Sequence, residues 1–184
     1  LTGRLLSAEK FVPVNWATHV DLETGRPVEV PEARYNITGQ PMIVQPGPLG
    51  GHNWHPMSYS QKTNLVYLPA TENLMGYVAQ PEMVISERGW NTGTDFAAGA
   101  RFVAAAGDAA PKNAAYLLAW DPVAQREVWR APQLVPTHAA GVVSTAGGLV
   151  FQGNGAGEFV AYRDSDGERL WAGITQSSTV AAPS

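Results

Sequence analysis

His52 and His55 bracket an Asn53-Trp54 pair, and Gly50-Gly51 stand directly ahead of them, in the stretch "GGHNWHPMSYSQKTNLVYLPA". An Asn amide donates hydrogen bonds to a carbonyl or quinone oxygen, and an adjacent indole offers a flat face and one N–H. Glycines there let the backbone come close to a planar ligand. The plainer use is local: Asn53 caps a turn and Trp54 packs on Pro56. Residue chemistry alone leaves these two uses level. The histidines raise zinc as a second chemistry, with His19 and His138 elsewhere in the chain. Zinc needs three or four ligands on a fixed frame, and an i, i+3 pair on a loop is no such frame. Packing or hydrogen bonding is the expectation for these imidazoles, against a zinc hydrolase built on His52 and His55.

Other motifs weigh toward architecture. "GGLVFQGNGAGE" resembles a phosphate cradle in composition only, because no helix pattern follows Gly157; its glycines read as turns between two strands. There is no Gly-x-Ser-x-Gly elbow and no cysteine to serve as a nucleophile. Trp129 and Trp171 could stack on a ligand, but each follows a charged turn at the same offset, which favours packing between sheets.

The 184 residues suit one domain or a piece of a larger protein. A composition 45% hydrophobic and 15% charged allows a substantial core. A net charge of −4 without a Lys/Arg run argues against nucleic acid or an anionic membrane as partner. The absence of cysteine removes disulfides, thiolate metal sites and a haem-attaching C-x-x-C-H from this stretch. No apolar run reaches the ~20 residues that span a bilayer. The chain opens "LTGRLLSAEK" without Met or a signal peptide, as if cut from something longer. With 19 Gly and 14 Pro, many turns and short strands are expected.

Internal repetition supplies the frame. "LLAWDPVAQREVWR" and "FVAYRDSDGERLWA" share a strand, an aromatic, a polar turn, a charged pair and a Trp, with Trp129 and Trp171 42 residues apart. That period is the ~40–50 residues of a four-stranded propeller blade. "VDLETGRPVEV" carries the same turn, where Gly25, like Gly167, can take a positive φ, and "LTGRLL" resembles the end of another copy. Between these units the pattern predicts strands over Leu65–Pro69, Arg101–Ala105 and Gly148–Gln152. Residues 71–100 read as a long excursion, and no amphipathic helix of convincing length is predicted. The expected fold is all-β, built of repeated four-stranded antiparallel sheets.

The stretch "PGPLGGHNWHPMSYSQKTNLVYLPA" resembles the quinoprotein alcohol dehydrogenases, which use pyrroloquinoline quinone (PQQ). "FVPVNWATHVDLETGRPVE", "GVVSTAGGLVFQGNGAGEFVAYRDSDGERLW" and "QSSTVAAPS" extend the likeness over nearly the whole chain, most loosely in residues 71–112. The resemblance implies an eight-bladed β-propeller whose blades are locked by tryptophan docking motifs, with residues 1–184 forming an incomplete ring. They would be its C-terminal part, about three blades plus partial ones, with no second domain. Arg163 stands where that motif commonly has Asp, and Gln125 where it has Gly; both should weaken local packing rather than function. The resemblance assigns cofactor contact to Asn53 and Trp54 and, on a poorer match at His138–Gly141, to Ala139 and Ala140. No catalytic or metal-ligating residue is assigned here: the family's Asp base, calcium-ligating Glu and Asn, and vicinal disulfide match upstream positions. The implied parent is a periplasmic, PQQ- and Ca²⁺-dependent enzyme oxidising a primary alcohol to an aldehyde. Electrons would pass to cytochrome c or ubiquinone, a haem c domain following in some members. The chain alone would be inactive, and its open blade faces would promote self-association. A non-catalytic propeller that only binds partners shares the blade repeat but has no use for "GGHNW".

Overall fold

The computed structural model describes residues 2–135, 139–179, 181 and 183, with the backbone alone at Ala139. Residues 2–10 form no strand. A two-stranded sheet comes first, β1 (Ala17–Val20) with β2 (Pro27–Glu29). A single helical turn, α1 (Tyr35–Thr38), leads into β3 (Met42–Val44). Then follow β4 (Ser58–Ser60), β5 (Leu65–Glu72), β6 (Met75–Tyr77), helix α2 (Phe96–Ala106), β7 (Ala114–Asp121) and β8 (Arg126–Pro132). The last four strands are β9 (Ala139–Ser144), β10 (Leu149–Asn154), β11 (Glu158–Arg163) and β12 (Arg169–Ile174). They assemble into two four-stranded antiparallel sheets, β4-β5-β7-β8 and β9-β10-β11-β12, and two pairs, β1-β2 and β3-β6.

Strand alternation explains the core. Successive residues of β5 and β7 point to opposite faces. Tyr67 and Leu117 join Leu65, Ala119 and Trp129 in a cluster that meets Val142, Val150, Val160 and Tyr162 of the neighbouring sheet. Leu68 and Leu118 face the other way, toward Val12, Ala70 and Tyr116. Central strands buried on both faces read as continuous apolar runs, which is why "LVYLPA" and "AYLLAW" are so apolar.

The repeated turns close three hairpins. In two of them one carboxylate gathers the turn's amides: Asp21 accepts from the backbone N–H of Glu23 and Thr24, and Asp121 from those of Val123 and Ala124. These N–H donors hold both carboxyls below the usual Asp range. In the third, Arg163 replaces the leading Asp and pairs with Asp166 and Glu168. Gln125, where the docking motif usually has Gly, sits at φ 54°, a left-handed conformation that costs a side-chain-bearing residue roughly 1–2 kcal/mol.

The two large sheets are joined at these turns. Trp129 Nε1 donates to the Asp164 carbonyl at 3.1 Å, and Tyr67 Oη donates to the same oxygen at 2.9 Å. The indole lies over Gly167, where an added Cβ would fall 2.5 Å from Trp129 Cε3. Trp171, its repeat mate, is 55% exposed, on a face that also carries the stacked Phe151–Phe159 pair.

Residues 96–106 depart from the strand expected over Arg101–Ala105, and from the all-β expectation generally. They form α2, whose N-cap Asp95 accepts the Ala98 N–H at 2.8 Å. Six alanines in that run favour helix over strand, and Gly99 permits its docking. An alanine Cβ at Gly99 or at Gly76 on β6 would come inside 3.0 Å of the opposite carbonyl oxygen. Gly99→Ala is therefore expected to lower stability by about 1–3 kcal/mol, although alanine is the better helix former by about 1 kcal/mol. Urea unfolding of the full-length protein checks this; equal or greater stability would show that the helix docks elsewhere. No helix among the described residues is long and apolar enough to cross a membrane.

Candidate functional site

The corner Gly50–Pro56 is tied to the sheet it precedes. The Gly51 carbonyl accepts from Thr71 N–H at 2.9 Å, and the Gly50 carbonyl from Asn73 Nδ2 at 2.5 Å. Gly51 is buried, and a Cβ there would collide with Val12 and crowd Phe11. The close approach that Gly51 allows is thus to the N-terminal segment. His52 points inward, and its Nδ1 donates to the Pro69 carbonyl at 2.8 Å. Three of these four bonds, counting Thr71 Oγ1 to the Gly50 carbonyl, reach Pro69 and Thr71 of β5 itself, so the loop follows that strand.

Asn53 and Trp54 form the exposed tip. Asn53 Oδ1 accepts the Trp54 N–H at 2.9 Å, and its Nδ2 donates to the Leu49 carbonyl at 3.2 Å. Trp54 is 68% exposed and stacks on His55, ring centroids 4.0 Å apart. The ring next to Trp54 is thus His55, and the turn-capping use of Asn53 is realised. The amide retains a second N–H, and the indole a bare face; a flat polar ring matches that donor set.

The second candidate segment lies beside the first. β4 and β9, the first strands of the two large sheets, run side by side: Val142 N–H donates to the Pro56 carbonyl at 3.0 Å. Ser144 N–H donates to Ser58 Oγ at 2.9 Å, and the two hydroxyls are 2.6 Å apart. Asn53-Trp54 and Ala139-Ala140 therefore sit at the same end of adjacent strands, although 86 residues separate Ser58 from Ser144. Ala140 is fully buried, so the group it offers is backbone. His138, which belongs to this segment, lies outside the described residues.

The zinc frame is not assembled by what is described. His52 is engaged with Pro69, and His19 Nδ1 lies 2.9 Å from Thr18 Oγ1. Among the described residues, no three His, Asp or Glu converge. Two cavities of about 220 and 270 Å³ flank Trp16, and neither is lined by Asn53 or Trp54.

A buried amide, joined to a half-buried one, lies next to this segment and is not among the residues singled out above. Gln152 is 1% exposed and donates from Nε2 to the Ala140 carbonyl at 3.0 Å. Its Oε1 accepts from Gln133 Nε2 at 3.1 Å, and Gln133 also donates to Tyr162 Oη at 3.3 Å. Burial pushes the Tyr162 hydroxyl above its ordinary pKa, so it stays protonated in this chain of bonds. Gln152 takes the inward position two residues after Val150 in β10.

The chain is 46% identical over 182 residues to a quinohemoprotein alcohol dehydrogenase of Pseudomonas putida, covering 98% of itself and 25% of that protein. A 1-butanol dehydrogenase (cytochrome c) of Thauera butanivorans is 37% identical over 190 residues, covering 98% of this chain and 26% of that one. The crystal structure of quinohemoprotein alcohol dehydrogenase from Comamonas testosteroni superposes with TM-score 0.82 at 38% identity, over 97% of this chain and 26% of that one. No family model matches. The chain spans about a quarter of the length of these relatives.

Proposed function

We propose, for a chain that belongs to the quinohemoprotein alcohol dehydrogenase family, that the full-length protein oxidises a primary alcohol to an aldehyde. Residues 1–184 contribute a C-terminal part of an eight-bladed propeller, about three blades plus partial ones. PQQ, held with Ca²⁺, supplies the two-electron acceptor when bound; electrons then leave to cytochrome c, in some members through haem c, or to ubiquinone. The catalytic Asp and calcium ligands come from outside this stretch, so the isolated chain is inactive and, with its blade faces open, self-associates. The protein works in the periplasm.

The observation that carries this reading is the tip Asn53-Trp54. An amide already fixed by two local bonds keeps one N–H to donate, and a preorganised donor stabilises negative charge where it grows. The neighbouring indole excludes water from one side of a planar ring. Its position beside the β9 end brings backbone from the second large sheet to the same place. The full-length protein, given PQQ, Ca²⁺ and a primary alcohol, is expected to reduce an artificial electron-accepting dye. Absence of dye reduction would overturn the proposal.

A further inference from the structure

The β9–β10 ladder breaks where the candidate site begins. Val142 pairs with Gln152 and Ala139 with Asn154, so Ala140 and Gly141 together oppose the single residue Gly153. Such a bulge re-aims a strand end and leaves a backbone group without its ladder partner. At this bulge the carbonyl of Ala140 accepts a side-chain donor, inside a region where Ala140 and Gln152 are both fully screened from solvent. That donor is the Gln152 amide, at 3.0 Å. Its other end is met by Gln133, which bonds Tyr162 in turn, so a rotated amide would set oxygen against the Ala140 carbonyl and nitrogen against Gln133 Nε2.

A regular ladder with an apolar residue at 152 would need none of this, since Val150 on the same face of β10 packs without a polar partner. The bulge and the buried amide make sense together as a device that fixes one short stretch of backbone, Ala139–Gly141. That stretch lies at the same strand end as Asn53-Trp54, to which Val142 and Pro56 connect it.

We infer that Gln152 is a positioning residue for the cofactor wall: by holding the Ala140 carbonyl it sets the backbone of Ala139–Gly141 against the bound quinone. The inference rests on the PQQ reading of this end of the sheets. It is tested on the full-length protein, stripped of cofactor, by titrating PQQ at saturating Ca²⁺ and following tryptophan fluorescence. Gln152→Leu keeps the volume but cannot donate, and its PQQ dissociation constant is expected to rise about tenfold, the effect of one lost buried hydrogen bond. Gln152→Glu gives a sharper signature. A protonated glutamic acid donates to Ala140 and accepts from Gln133; the carboxylate form cannot donate. Burial raises that carboxyl's pKa, so this variant should bind PQQ as the unaltered protein does at pH 5 and as poorly as Gln152→Leu at pH 8. Denaturant unfolding at both pH values accompanies the titration, and a PQQ affinity that merely follows the folded fraction would overturn the inference. Unaltered PQQ affinity in Gln152→Leu would overturn the inference while leaving the cofactor reading intact. Absence of PQQ binding by the unaltered protein would overturn both.

Discussion

Trp129→Ala is expected to destabilise the protein by about 3–5 kcal/mol, the usual range for emptying a buried tryptophan site. The side chain is 8% exposed and central to the cluster shared by the two large sheets. Its ring stacks near Tyr67, centroids 5.6 Å apart, and covers Gly167. Its N–H and the Tyr67 hydroxyl converge on the Asp164 carbonyl, so two donors of one sheet grip one acceptor in the turn of the next. The Asp164 carboxylate is itself buried, with Lys62 Nζ at 4.0 Å across the junction. Truncating the indole therefore removes apolar contact, leaves a cavity beside a glycine and loosens the surroundings of a buried charge. Trp129→Phe should recover most of the packing but not the N–H, for a loss of about 1–2 kcal/mol. Denaturant unfolding of the full-length protein gives both numbers. An alanine variant within 1 kcal/mol of the unaltered protein would show that the sheets are held together elsewhere.

The same junction shows what could be read in advance. The hairpins β7–β8 and β11–β12 were legible because their instructions are local: a strand, an Asp or Arg turn, Gly167 or its equivalent, then a Trp at fixed offset. The 42-residue spacing of Trp129 and Trp171 led to the sheet-on-sheet packing that Trp129 displays. Helix α2 was not legible, because Gly99 interrupts a run whose apolar residues form no clear stripe, and because the reason for that glycine is Gly76, 23 positions away. Two adjacent glycines at Gly50-Gly51 suit a ligand or a chain contact equally, and only the fold shows that Val12, far upstream, fills the space at Gly51. Gln152 escaped notice for a related reason. A single polar residue in an apolar strand becomes meaningful only once a bulge in the partner strand is known. Periodicity carries local geometry; it does not carry which distant backbone needs a donor.

Asn53→Asp is the substitution that separates the two uses of the Asn53 side chain, and under the proposed function it should lower turnover by about 10²–10³. Asp is nearly the same size, and its carboxylate still accepts the Trp54 N–H, the 2.9 Å bond that shapes the tip. It loses the donation to Leu49, which at 3.2 Å in an exposed loop contributes little. What disappears entirely is the free amide N–H, and a negative charge stands where negative charge would have to build up during reduction of the quinone. A capping role predicts the opposite ranking, since Asp caps turns as well as Asn does. Asn53→Ala breaks the cap and removes the donor together, so it cannot distinguish them. Steady-state kinetics of the full-length enzyme with each variant, alongside PQQ retention, provide the measurement. An aspartate variant as active as the unaltered protein, with only the alanine variant impaired, would assign Asn53 to the loop and take away the central support for an oxidoreductase site at this corner.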